Sequence, residues 1–369
     1  MRTLVFGGWF GSGNLGDEAI LMGVNHIFRK VIPEIRITVL SINPDYTRKI
    51  SGLESIQLKS PREIFSSNKK YLSSLAEIET CLITGGTPIY DYDFFSKCIH
   101  WGLPIINGSR IFLFGIGAKR ISSLKGKIIT KTLLDQSNRT SVRDFYTFYA
   151  LKSLSRRSIT LTGDSALCYP YELDRNEEKM IVICPRSLNQ DHISSYHDNI
   201  TTENIQKIRK MIAKTCDFLV KKGFSVIFVP FHNTPKDNDL AEIHSIVNKM
   251  KKRDAVILDR PDSPQDFINI INSSNFVIGL RLHSLILSAV AKVPYISIGY
   301  DNKIGGFMTL TGMNRFLGRI NDDYHFMIKR IERINNDREK IESHLETRIK
   351  NIRRNILKEA NTISSLMFS

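Results

Sequence analysis

Cysteine is scarce in this chain of 369 residues. Five are present (Cys81, Cys98, Cys168, Cys184, Cys216), with no CxxC pair and no metal-ligand spacing. So odd and scattered a set excludes a disulfide framework and reads as reduced thiols of a cytoplasmic protein. His192 and His197 lie in a polar stretch without the further ligands a zinc site needs, so no metal is expected. Long hydrophobic runs are missing too. The N-terminus, MRTLVFGGWF, is an apolar run ending in glycines, without the small-residue cleavage site of a secretory signal. The most apolar region, residues 276–300, is broken by Arg281, His283 and Lys292, which excludes a membrane span. Repeats and low-complexity tracts are absent. With 42% hydrophobic and 24% charged residues, wholesale disorder is excluded as well.

Negative charge is in deficit: 37 acidic residues stand against 52 Lys and Arg, a formal +15. The partner implied is anionic, which leaves nucleic acid, a membrane surface and a phosphorylated substrate open. Residues 329–358 read as a helix with 10 basic and 5 acidic residues, +5 of the excess. That is either a solvated face laced with i,i+4 pairs or part of a patch for anionic lipid or polymer.

What is present is alternation. Short apolar, β-branched runs at residues 3–8, 36–42, 80–84, 110–115, 140–143 and 158–162 are separated by segments of helical period. The first of these is a helix over 17–30 with Ile20, Leu21, Val24, Ile27 and Phe28 on one face. A second series follows at 180–184, 225–229, 255–258, 275–280 and 294–298. The polar stretch 174–179 separates the two. The expectation is an α/β chain of two Rossmann-like domains facing a cleft, residues 1–173 and 180–369, with ligands beyond the carboxyl ends of the strands.

Gly11-Ser12-Gly13-Asn14-Leu15-Gly16 matches G-x-G-x-x-G between a strand and a helix, so a dinucleotide site has to be weighed. Against it, Asp17 and Glu18 stand at the helix start, where a pyrophosphate would sit, and no acidic residue ends the second strand. The lysine of a P-loop is absent. The glycines either permit a tight turn only, or they open a polar loop in which Asp17 accepts a hydroxyl proton.

Arg281 and His283 fall where the strand 275–280 gives way to a helix at 284–291, a setting for a compact anion site. Arg143 has the same placement before Asp144, and Lys303 follows another strand end. His232, after the strand 225–229, is placed to line the cleft. Together these cations point to a small, multiply charged anion.

These motifs resemble the polysaccharide pyruvyl transferase family. The resemblance runs through Gly13-Asn14-Leu15-Gly16-Asp17-Glu18-Ala19-Ile20, Gly85-Gly86, Ser141-Val142-Arg143-Asp144 and Gly163-Asp164. It closes with Gly279-Leu280-Arg281-Leu282-His283-Ser284 and Tyr300-Asp301-Asn302-Lys303. Thr87 stands where the family commonly has a third glycine, and Ser165 where it often has proline. The resemblance implies a GT-B-like fold and transfer of the pyruvate unit of phosphoenolpyruvate onto a sugar of a cell-surface polysaccharide or lipid-linked glycan as a ketal. It needs no cofactor beyond that donor. Under it, His283 is the general acid or base and Asp17 orients or deprotonates the acceptor. Arg143, Arg281 and Lys303 hold the donor's charges, while Gly13, Asn14, Gly85, Gly86 and His232 line the substrates. Peripheral association with the inner face of the membrane would suit a lipid-linked acceptor. The alternatives are a GT-B glycosyltransferase with a nucleotide-sugar donor, a catalytically dead glycan binder and, most distant, a nucleic-acid-binding protein. The last is disfavoured because the basic residues are dispersed and no recognition module is visible.

Overall fold

The structure is a computed structural model that describes residues 3–60, 63, 69–91, 98–172, 178–188, 200–234, 237–252 and 254–369. His192, His197 and most of the expected linker lie outside the described residues. Two compact units are present, Met1–Pro170 with Ile352–Ser369, and Tyr171–Asn351.

The first unit is built on a seven-stranded sheet of β1 (Thr3–Phe10), β2 (Arg36–Ser41), β3 (Glu54–Gln57), β4 (Thr80–Thr84), β5 (Arg110–Ile116), β6 (Arg139–Val142) and β7 (Ile159–Leu161). All its pairings are parallel and the order is β3-β2-β1-β4-β5-β6-β7. Strands buried on both faces lack polar residues at their centres, as in β4 (TCLIT), which is buried throughout. The helices flanking them include α1 (Leu15–Val31), α2 (Leu124–Gln136) and α3 (Phe145–Lys152). α1 begins two residues earlier than its apolar period suggests, because the Asn14 side chain caps it by accepting from the Gly16 N–H.

The second unit repeats the plan with β8 (Met180–Cys184), β9 (Ser225–Phe228), β10 (Ala255–Ile257), β11 (Phe276–Gly279), β12 (Tyr295–Ile298) and β13 (Leu317–Gly318), ordered β10-β9-β8-β11-β12-β13 and again parallel. α4 (Thr202–Lys221), α5 (Asp239–Val247), α6 (Pro264–Asn272), α7 (Leu282–Val290) and α8 (Asn302–Thr311) connect its strands. In both sheets the first strand lies beside the fourth, so the chain reverses its winding between β1 and β4 and between β8 and β11. Open α/β sheets bind ligands at such switch points, beyond the carboxyl ends of the strands.

The last helix, α9 (Tyr324–Phe368), is longer than the expected 329–358 and belongs to both units. Ile331, Ile334, Ile341, Leu345, Ile349, Ile352, Ile356, Ala360, Ile363 and Met367 are buried at spacings of mostly three and four, the stripe an amphipathic helix presents to a core. Residues 352–369, expected with the second domain, instead pack in the first unit. There Glu359 accepts two hydrogen bonds from Arg139 (2.8 and 2.9 Å), and Arg353 donates to the Leu167 carbonyl. Gly163 lies against the same helix. Its φ is +122°, and a Cβ there would lie 2.5 Å from Ile352, so no side chain fits.

Candidate functional site

The carboxyl ends of the two sheets each gather the residues picked out by sequence. In the first unit the glycine-rich loop follows β1. Two of its backbone donors are already engaged: Gly11 donates to the Glu18 carboxylate (3.1 Å) and Gly16 to Asn14 (3.0 Å). Glu18 is fully buried, so a carboxylate sits within the loop that would otherwise cradle a pyrophosphate. Gly13 turns with φ +77° in open space. Asp17, in the first turn of α1, is 6% exposed. Gly85 and Gly86 follow β4, on the neighbouring strand. Gly86 has φ +51°, and a Cβ on it would stand 3.1 Å from Asp17 Oδ1, so its lack of a side chain keeps space beside that carboxylate.

Arg143, after β6, is 4% exposed. Its guanidinium donates to Asp164 Oδ2 (3.0 Å) and Thr87 Oγ1 (3.2 Å) and lies 3.5 Å from Asp144. Asp144 also caps α3 through the Thr147 N–H (2.7 Å), and Asp164 caps Ser165–Cys168 through the Ala166 N–H (3.0 Å). Three of the recognised motifs thus meet on one buried arginine. Thr87, the departure from the expected glycine, is one of its partners.

In the second unit Arg281, ending the β11 strand segment, is 7% exposed. Its Nε and Nη2 donate to Asp239 and both Nη atoms to Asp237, over 2.5–3.2 Å. Asp239 also accepts from the backbone of Ser187 (3.1 Å), Phe231 (3.0 Å) and His232 (3.1 Å). Burial alone would raise the Asp237 carboxyl. The His232 hydrogen bond and the charges of Arg281 and Arg186 outweigh it and hold the group well below the usual carboxylate range. The sequence reading gave Arg143 and Arg281 to a ligand's charges. The structure shows both guanidiniums engaged by buried carboxylates, because an arginine so far from water requires them.

A cation that sequence reading missed stands next to them. Arg186 follows β8 by two residues, with its guanidinium 6.0 Å from the centre of the Tyr300 ring, 3.4 Å from the Tyr300 hydroxyl and 3.9 Å from Asp301 Oδ2. The same Asp301 oxygen lies 3.1 Å from Lys303 Nζ, and its carboxylate caps α8 through the Lys303 N–H (3.0 Å). The Tyr300 hydroxyl donates to the Leu280 carbonyl (2.5 Å), tying β12 to β11. A cation at a strand's carboxyl end was the signal that singled out Arg281. The same signal, Cys184-Pro185-Arg186, was available for Arg186. His283 is half-buried in the first turn of α7, where the positive end of the helix favours an anion beside it.

The structure therefore brings Arg281 together with His232 through Asp237, and Lys303 together with Arg186 through Asp301. Asp17 is brought to Gly86, while Arg143 forms its own cluster. Among the described residues no three His, Cys, Asp or Glu side chains are arranged to hold a metal, and no helix is long and apolar enough to cross a membrane. Burial pushes the Cys81 and Cys168 thiols up to about 12, which suits inert structural thiols. A cavity of ≈ 480 Å³ on Met22, Asn25, His26, Arg29, Lys30 and Pro170 opens at the far end of α1 and includes none of the candidate residues.

Residues 14–302 match the profile of a known family, polysaccharide pyruvyl transferase, over most of the chain. The chain belongs to the polysaccharide pyruvyl transferase family. Family members are transferases, and the matched span takes in Asp17, Gly85, Gly86, Arg143, Arg186, His232, Arg281 and His283 and stops one residue before Lys303. No curated protein is significantly similar in sequence. Among solved structures, a glycosyltransferase from Rickettsia africae has a TM-score of 0.65 at 10% identity, over 100% of this chain and 99% of that one. Anabaena Alr3699/HepE, in complex with UDP-glucose, has 0.63 at 9% over 100% and 99%. UDP-GlcNAc 2-epimerase from Neisseria meningitidis, bound to UDP-GlcNAc, has 0.58 at 15% over 97% and 100%. At such identities the likeness is one of fold, two parallel-sheet α/β units of the GT-B type.

Proposed function

We propose that this family member transfers the pyruvate unit of phosphoenolpyruvate onto two hydroxyls of one sugar, forming a ketal and releasing phosphate. The observation that carries this reading is the paired cations at the second sheet's switch point. Arg186 and Lys303 share a single carboxylate, Asp301, beside the first turns of α7 and α8. Phosphoenolpyruvate packs a carboxylate and a phosphate onto three carbons. A planar guanidinium suits one of these by paired hydrogen bonds, and an ammonium suits the other as a point charge. Arg281 supports that cradle by fixing Asp237 and Asp239. His283 delivers a proton to the methylene carbon, since an imidazole can both give and take a proton. The first unit takes the sugar, with Asp17 orienting a hydroxyl and Gly13, Asn14, Gly85 and Gly86 shaping the loops around it. Arg143 holds those loops in place. No cofactor or metal enters the reaction. A glycan or lipid-linked saccharide is the acceptor, and the +15 charge suits peripheral attachment to an anionic cytoplasmic membrane face carrying it.

Nucleotide-sugar chemistry is the second reading, favoured by the fold shared with UDP-binding structures. Thermal stabilisation separates the two: phosphoenolpyruvate should raise the melting temperature and UDP should not. Mass spectrometry of glycosides incubated with phosphoenolpyruvate should then show the ketal. A shift with UDP alone would replace this function with glycosyl transfer.

A further inference from the structure

We propose that His232 is the general base of the reaction, set to that task by Asp237, with Arg281 as a positioning residue acting through Asp237. The inference rests on the pyruvyl-transfer reading above.

His232 Nδ1 lies 3.2 Å from Asp237 Oδ2. Asp237 is in turn held on both oxygens by the Arg281 guanidinium, and the His232 backbone N–H is fixed by Asp239. A carboxylate paired in this way stays ionised and accepts only, so the hydrogen on the imidazole sits on Nδ1 and the lone pair sits on Nε2. Nε2 is buried and, among the described residues, has no hydrogen-bond partner. A buried ring nitrogen without a partner carries an energetic penalty of about 1–3 kcal/mol, which is relieved once a hydroxyl donates to it. Carboxylate, imidazole and a receiving lone pair, in that order, is the arrangement that makes a hydroxyl nucleophilic in other folds.

The reaction needs such a group because it moves more than one proton. In the first addition the methylene carbon gains a proton from His283, and the first sugar oxygen bonds to the adjacent carbon and gives its proton to His232 Nε2. In the second, the carbon–oxygen bond to phosphate breaks and the phosphate takes that proton from His232. The second sugar oxygen bonds to the same carbon and returns a proton to His283. One phosphoenolpyruvate and two hydroxyls become a ketal and inorganic phosphate, and both imidazoles end as they began.

The charged groups facing His232 are Asp237 from its own loop, Asp239 at the start of α5, Arg281 at the start of α7 and Arg186 after β8. Replacing His232 leaves the Arg281–Asp239 pair intact, so H232Q should fold. The experiment is phosphate release and ketal formation by the full chain. The probes are phosphoenolpyruvate and p-nitrophenyl glycosides of galactose, glucose, N-acetylglucosamine and N-acetylmannosamine. It is run on wild type, H232Q and D237N, with ¹⁵N imidazole spectra of wild type and D237N. H232Q should lose ~10²–10⁴-fold in kcat. Its KM for phosphoenolpyruvate should stay nearly constant. The spectra should place the His232 hydrogen on Nδ1 in the wild type and release that preference in D237N. An H232Q enzyme that keeps wild-type kcat, or a wild-type hydrogen on Nε2, overturns the assignment while pyruvyl transfer stands. A wild type that forms no ketal with any of the probes, yet shifts with UDP, removes the reading on which it rests.

Discussion

Each unit buries an arginine at the carboxyl end of its sheet, and the two arginines keep different company. Arg143 meets Asp164, Asp144 and the Thr87 hydroxyl, and both of those carboxylates also cap nearby backbone. That network ends in the main chain, so it fixes loop shape. Arg281 meets Asp237 and Asp239, and Asp237 passes on to an imidazole beside a second guanidinium. That network ends in an imidazole. Similar strand-end arginines thus end in the backbone in one unit and, under the assignment proposed above, in an imidazole that takes a proton in the other. What separates them is where the carboxylate's second oxygen goes.

The sharpest way to break this contrast is to delete each arginine. Arg281→Met removes the hydrogen-bonded counter-charge of two buried carboxylates, leaving Asp237 only the more distant Arg186, and should cost about 3–5 kcal/mol of stability. Arg143→Met leaves Asp144 and Asp164 with their backbone donors and should cost less, roughly 1–3 kcal/mol. Chemical denaturation followed by circular dichroism reads both. Equal losses would mean that the two clusters differ in nothing but position. Acid separates them as well. Because the folded-state pKa of Asp237 is depressed, its stabilisation is present in full above the ordinary Asp value near ~3.9 and is lost as pH falls below it. Below that value the wild type should lose stability faster than D237N, and parallel acid curves would deny the pairing.

Donor binding gives a smaller effect. Arg186→Ala should weaken phosphoenolpyruvate by about 10- to 100-fold, from the ~1.5–3 kcal/mol of a hydrogen bond to a charged group. Lys303→Ala, whose ammonium is more exposed, should weaken it by less. Isothermal titration calorimetry measures each. Unchanged affinity in Arg186→Ala would move the donor away from the second unit's switch point.

The contrast also shows where sequence alone stops. Alternating strands and helices made both α/β units legible, because apolar strand centres and 3.6-residue periods are local properties. β3 escaped notice because its four residues, ESIQ, form a half-exposed edge without an apolar core, and β13 because it has only two residues. The grouping of residues 352–369 with the first unit is not legible either, since nothing local in them shows that Glu359 answers Arg139, some two hundred residues earlier. At the candidate site, residue type and strand-end placement single out Arg281, His283, Lys303 and His232 as candidates. They did not reveal that Arg281 is already engaged. Asp237 and Asp239 look like ordinary loop and helix-start acids in the sequence, and only the fold brings them under the guanidinium.

The smallest expected effect tests the glycine-rich loop itself. Asn14 belongs to the family motif, and in the structure its side chain accepts the Gly16 N–H to open α1. If capping is its whole contribution, Asn14→Ala should cost ~1 kcal/mol and Asn14→Gly only a few tenths, while Asn14→Asp should be nearly neutral. Turnover should follow stability in all three. If the side chain also touches the sugar, Asn14→Asp will keep its melting temperature while the acceptor KM rises, because an ionised carboxylate replaces the donating amide. Measuring the melting temperature and acceptor KM of that one variant decides between the two. It would show whether the first unit's network, like that of Arg143, ends in the backbone.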